Sequence, residues 1–239
     1  MSTIEELLER KSVRVFQPRD VPNQVKASVL DCAIAAPTAG NQMLYTILQI
    51  EDPNLKTTLA RLCDDQPFIA SAPWVLVFLA DCRRWYDAYR LAGCDARTPG
   101  VGDLLLACQD AMIAAQNAVT AAHAHGLGSC YIGDILENRR QVVEVLHLDK
   151  WVLPVTLLVF GYPTDQQKKR HKPSRFDSRF IVLTDHYRRL SDQELKEMFT
   201  SRGEDFDSFV PAFCQRKYHS DFALEMTRSV QEYIEEYAR

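Results

Sequence analysis

The sequence predicts an α+β fold: a small central sheet, mixed or antiparallel, flanked by helices and followed by a C-terminal helical extension. Three observations carry this expectation. Pro73–Asp81 and Val155–Tyr162 are nearly continuous apolar runs of strand length, the pattern of central strands covered on both faces. Asp103–His125 is apolar almost all round and rich in small residues, which predicts a helix buried on every side, within a domain or across a subunit interface. Strands and helices intermix without a strict βα repeat, so a doubly wound sheet is not expected.

Each element follows from local pattern. Thr3 with Glu6 three places on opens a short helix carrying Ile4, Leu7 and Leu8 on one face. Arg10–Phe16 switches to alternation and stops at Gln17-Pro18. Pro22 opens a helix over 23–36, ended by Pro37-Thr38-Ala39-Gly40-Asn41. Leu44–Ile50 reads as a strand and Asp52-Pro53 starts a helix to about Cys63. After the long helix, which Gly126 ends, Gly128–Gly133 is a short strand and Asn138 caps a helix to Leu146. Phe180–Thr184 reads as a further short strand. From Ser191 the pattern is helical, with a loop around Gly203–Pro211 and a last helix over about Ser220–Tyr237.

The chain has 239 residues, 46% apolar and 25% charged, with net charge −4. These values exclude disordered, collagen-like and low-complexity classes. Mild acidity weighs against a nucleic-acid partner. Seven cysteines with no CxxC pair fit neither a disulfide framework nor a zinc ribbon, and read as reduced thiols. The start lacks a secretory apolar region, and no apolar run approaches the ~20 residues that cross a bilayer. The expectation is a soluble cytoplasmic protein, one domain over 1–239, with a compact unit ending near 185.

Three segments can hold an anionic, planar ligand. Arg10-Lys11-Ser12-Val13-Arg14 sets three cations and a hydroxyl at a helix-to-extended transition, either a phosphate site or a solvated basic turn. Lys168–Arg175 holds five cations and a histidine just past a buried strand, either a second phosphate contact or a flexible basic loop. Gly126–Gly133 follows a helix instead of a strand, which weighs against a dinucleotide motif and for a strand edge where backbone can lie flat against a ring. There is no GxxxxGK[ST], HExxH or GxSxG, and the six histidines lack metal-ligand spacing.

Taken in order, R-x-S-x-R-x-F after a short helix, the Pro-Thr-Ala-Gly-Asn-Gln turn, the small-residue helix, GLGSCYIG and the late K-P-x-R segment resemble the FMN-dependent nitroreductase family over essentially the whole chain. The C-terminal extension is similar to that of the NADPH-preferring subgroup of major nitroreductases and flavin reductases. The resemblance implies an FMN-binding core over 1–185, and an extension over 186–239 that serves the dimer and the NAD(P)H side. It assigns Arg10, Lys11, Ser12 and Arg14 to the FMN phosphate and ribityl chain. Pro37, Thr38, Ala39 and Asn41 belong to a turn that the partner subunit lays across the flavin. Gln66 falls to the pyrimidine or ribityl side. Tyr131, Ile132, Gly133 and Asp134 run along the ring near N5 and O4, and Lys172 and Arg175 are late cations for the phosphate. Arg202 matches a cation for the 2′-phosphate of NADPH, although Glu204-Asp205-Phe206-Asp207 stands where a second arginine is expected. Arg228 matches a cation at the mouth of the site.

The resemblance implies that no side chain is catalytic, because the hydride passes through flavin N5 and the protein binds, orients and tunes the cofactor. The implied activity is ping-pong two-electron reduction of nitroaromatics, quinones or flavins by NADPH or NADH, in a homodimer without metal. The alternative is a non-catalytic FMN-binding or redox-sensing protein on the same scaffold.

Overall fold

A computed structural model describes residues 2–238 of the chain. It divides into two compact units, one of residues 2–170 with 225–238 and the other of 171–224. The boundary expected near 185 falls inside the second unit, and most of the last helix belongs to the first.

In the first unit the chain runs α1 (Thr3–Glu9), α2 (Asn23–Ile34), β1 (Tyr45–Gln49), α3 (Pro53–Leu62), α4 (Pro67–Ser71), β2 (Trp74–Asp81), α5 (Arg83–Leu91), α6 (Val101–Ala124), β3 (Gly128–Ile132), α7 (Arg139–Leu146), β4 (Val152–Gly161) and α8 (Asp165–Lys169). The four strands form one antiparallel sheet in the order β1-β2-β4-β3. Central β2 is buried along its length because successive side chains enter different cores. Trp74, Leu76 and Phe78 pack with α2 and α6, whereas Val75, Val77 and Leu79 pack with α3, α4 and α7. Phe78 faces Thr156 and Leu79 faces Pro154, so Val155 is bulged and the sheet accommodates the proline. β4 therefore starts earlier than the apolar run suggests.

The free edge of β3 is closed by the segment after α1. Ser12 bridges Ser129 in parallel, the Val13 amide donates to Ser129 O at 2.8 Å, and Phe16 bridges Pro163. Backbone approaches so closely here that a Cβ on Gly128 would lie 2.6 Å from a Val13 methyl, and one on Gly161 2.8 Å from the Phe16 ring. A third core joins Leu44, Leu104, Trp151 and Leu153 to Tyr233 and Tyr237 of the last helix.

The second unit holds α9 (Asp192–Thr200) and α10 (Phe206–Lys217), and α11 (Asp221–Tyr237) begins in it. Ser191 caps α9 through a reciprocal box with Glu194, and Asp205 caps α10. Phe199 meets Phe176, Phe206 and Phe209 at ring separations of 5.3–5.9 Å, a small aromatic cluster.

Several expectations are corrected. Phe180–Thr184 is not a strand: the Asp177 carboxylate accepts the Arg179 amide at 3.0 Å and winds Ser178–Phe180 into a 3₁₀ turn. The loop expected to Pro211 ends at Asp205, whose cap starts α10 with Pro211 inside it. The N-terminal capping box is Ser2 with Glu5, one residue earlier than Thr3 with Glu6. α4, α5 and α8 are additions. Within the single chain α6 is not buried on every side: Leu105, Leu106, Met112 and Ile113 are exposed while Ala107, Ala111, Ala114 and Ala118 are buried.

Candidate active site

The turn between α2 and β1 is held by one carboxylate. Asp110, 2% exposed in the middle of α6, accepts the Thr38 hydroxyl, the Ala39 amide at 2.9 Å and the Leu44 amide at 3.2 Å. The Thr38 hydroxyl in turn accepts the Met43 amide at 2.8 Å. These bonds fix a turn whose backbone is left-handed at Gly40 (φ 56), Asn41 (φ 57) and Met43 (φ 52). Pro37 and Asn41 are exposed on it, and Thr38 and Ala39 are half-buried.

The basic segment 10–14 diverges. The Lys11 ammonium donates to the carbonyls of Lys168 and Arg170, and the Arg170 guanidinium donates to Ser12 O. The near end of the second basic cluster is thus tied to the first. Arg10, the C-cap of α1, places its guanidinium 5.8 Å from the Tyr131 ring centroid. Arg14 is exposed, lies 5.7 Å from the Phe68 ring centroid, and pairs with no carboxylate among the described residues.

Gln66 caps the start of α4 and donates its amide to Cys63 O at 2.9 Å, in a turn where Asp64 and Asp65 are left-handed. Tyr131 donates its hydroxyl to Gln116 at 3.2 Å, and burial pushes its phenol up to about 12. Ile132 is buried; Gly133 and Asp134 open the 3₁₀ turn past β3. A Cβ at Gly133 would meet nothing within 4 Å, so the backbone here is open to a flat ligand.

Lys172, Arg175 and Arg202 lie in the second unit. Lys172 and Arg175 are exposed, and Arg175 donates to Pro173 O at 3.1 Å. Arg202 stacks 4.1 Å from the Phe176 ring centroid and is held by Glu204 through two bonds of 2.9 and 2.5 Å. Arg228, in the first unit, pairs with Glu225 and Glu232 at 2.6 Å each. That pairing raises its guanidinium and holds the Glu225 carboxyl down at about 2.

The described residues fit a flavin mononucleotide. An uncompensated guanidinium and a hydroxyl on the segment bridged to β3 suit the phosphate, and the open backbone at Gly133 suits the ring. Two residues were missed. Asp110 is an acid in the alanine-rich middle of a helix whose other acid, Asp103, lies in the first turn, a signal that could have marked it. Glu137 is 5% exposed, and burial, then Asp134, Asp64 and Glu225, push its carboxyl up to about 7; nothing in its local sequence announces this.

The nitroreductase family pattern matches residues 7–162, more than half of the chain. The chain is 32% identical over 209 residues to the oxygen-insensitive NADPH nitroreductase of Salmonella typhimurium strain LT2, covering 84% of each. It is 27% identical to FMN reductase (NAD(P)H) of Bacillus subtilis strain 168, covering 97% of this chain and 90% of that one. Its fold is similar, at a TM-score of 0.83 and 22% identity over 97% of both chains, to the NADPH:FMN oxidoreductase from Vibrio harveyi complexed with NAD+.

Proposed function

The chain belongs to the nitroreductase family, and from that membership we propose how it works: it is an FMN-dependent NAD(P)H oxidoreductase that passes two electrons to nitroaromatic, quinone or flavin acceptors. Bound FMN would supply the reversible two-electron chemistry. The observation that carries the reading is Arg14, exposed without a carboxylate partner among the described residues, on the segment bridged to β3.

Arg14 and Ser12 bind the phosphate, the guanidinium fork and hydroxyl saturating its oxygens. Arg10 serves the ribityl side, and Lys11 acts through structure, since its ammonium holds the chain at Lys168 and Arg170. The backbone of Tyr131–Asp134 would hold the ring, and Gln66 would orient its pyrimidine side. Pro37, Thr38, Ala39 and Asn41 form the covering turn, held by Asp110. This set needs no protein nucleophile.

Arg202 is the cation for a donor 2′-phosphate, and Glu204 offsets its charge, so NADH and NADPH are both used. Arg228 lies at the mouth, its pairs with Glu225 and Glu232 keeping α11 ordered there. The working form is a homodimer. Leu105, Leu106, Met112 and Ile113 of α6, with Ile4 and Leu8 of α1, are exposed apolar side chains that a second copy would cover. The described helices include none long and apolar enough to cross a membrane. The seven free cysteines suit a reducing compartment such as the cytoplasm.

Steady-state rates measured while donor and acceptor are varied together test the reading. Parallel double-reciprocal lines support it. Absence of turnover with every acceptor would leave a flavin-binding or redox-sensing protein.

A further inference from the structure

A cavity of about 410 Å³ opens between α5, the segment 94–99 that follows it, and the first turns of α6. Leu44, Cys82, Trp85, Tyr86, Tyr89 and Leu106 line it, and no residue assigned above to the flavin or the nicotinamide donor does. Its size falls in the range of small-molecule sites, about 300–1,000 Å³. The sequence of α5 builds one wall: Trp85 and Tyr89, four residues apart on one helix face, set their ring centroids 5.5 Å apart at 42°. Trp151 holds the Tyr86 ring edge-on at 4.8 Å. The Trp85 indole donates to Gln42 O at 2.7 Å, which ties this wall to the turn between α2 and β1. At the rim Arg97 and Asp103 pair through two bonds of 2.6 and 2.9 Å and so cancel each other's charge. The Tyr86 and Tyr89 hydroxyls, by contrast, have no hydrogen-bond partner among the described residues.

We infer that this cavity binds an uncharged, planar carbonyl compound of two fused rings. The rings stack on Trp85 and Tyr89, Leu44 and Leu106 cover their edges, and the carbonyl oxygen accepts from the tyrosine hydroxyls. A charged ligand is disfavoured. A carboxylate meets an Arg97 already paired with Asp103, and a cation meets an Asp103 that already holds Arg97 and the Gly100 amide at 2.8 Å. Either would give up its water for no free partner. Leu106 also belongs to the α6 face that a second copy would cover, so the cavity opens at the edge of that face. The site does not depend on the flavin reading, because binding there requires no electron transfer.

Calorimetric titration of the purified protein with coumarin, naphthalene and coumarin-3-carboxylate tests this, each run with and without saturating FMN. Coumarin is expected to saturate at one site per chain in both cases. It should bind about fivefold more tightly than naphthalene, which has two rings of the same size and no acceptor. Coumarin-3-carboxylate should bind more weakly than coumarin. The double variant Tyr86→Phe/Tyr89→Phe keeps both aromatic rings and should bring coumarin down to the naphthalene level. Failure of coumarin to saturate would overturn the inference, as would its displacement by FMN, which would place it in the flavin site. Equal binding of coumarin and naphthalene would mean an unspecific apolar surface and refute the site, and tighter binding of the carboxylate would refute the uncharged ligand. A coumarin preference that survives the double variant would also refute it. Should that variant fail to fold, the coumarin-to-naphthalene ratio of the unaltered protein decides.

Discussion

The carboxylate of Asp110, buried in the middle of α6, accepts the main-chain amide of Ala39 at 2.9 Å. Through that bond, and those from Thr38 and Leu44, a long core helix sets the shape of a turn that the local sequence alone leaves free. Removing the acceptor leaves three donors without a partner and releases three left-handed residues. Asp110→Ala is expected to lower unfolding free energy by roughly 3 kcal/mol, read by denaturant melts. Asp110→Asn, which keeps one oxygen, should lose less. Equal stability of Asp110→Ala and the parent would show that the turn holds itself.

Arg14 and Lys11 are neighbours with separate expected roles. A charge-assisted bond to a phosphate contributes roughly 1.5–3 kcal/mol. Arg14→Ala should therefore weaken FMN binding by about tenfold or more, measured by fluorescence quenching on titration. Lys11→Ala should lower the melting temperature more than it weakens FMN, because its ammonium bonds carbonyls of Lys168 and Arg170. Unchanged FMN affinity in Arg14→Ala would remove the phosphate assignment.

The Arg202–Glu204 pair bears on donor choice. Glu204→Gln leaves the Arg202 charge uncompensated and should raise the NADPH-to-NADH ratio of kcat/KM by roughly fivefold, the scale of about 1 kcal/mol for a part-exposed pair. Arg202→Ala should lower the ratio. If Glu204→Gln leaves it unmoved, Arg202 does not meet the 2′-phosphate.

Glu137 makes stability depend on pH. Its carboxyl is raised from 4.5 to about 7 by burial and by Asp134, Asp64 and Glu225. The folded chain therefore holds a proton that the unfolded chain releases near 4.5. The stabilisation is complete below that pH and is lost as pH rises through about 7. Glu137→Gln should flatten this part of the stability curve and make the protein more stable than its parent at pH 8. Parallel pH curves for the two proteins would place the titration elsewhere.

Much of the fold is legible because burial writes itself into composition. β2, β4 and α6 stand out as apolar runs, and the Arg10–Phe16 alternation marks the segment that closes β3. Phe180–Thr184 misleads for the same reason: its apolar residues look like a strand, but the Asp177 cap decides the backbone. The site is less legible where it depends on distant partners. Asp110 lies 71 residues from Ala39, and the Lys11 bonds to 168 and 170 cross most of the chain. Burial of Glu137 and the aromatic cavity beside α5 are products of packing that spacing does not announce.

The central claim is that this chain holds a flavin and reduces it with a nicotinamide donor. Anaerobic absorbance of the purified protein during addition of NADPH, then NADH, tests it most directly. The account predicts a yellow protein with oxidised-flavin bands that bleach with both donors and return on adding a quinone. A colourless protein that takes up no added FMN would contradict it.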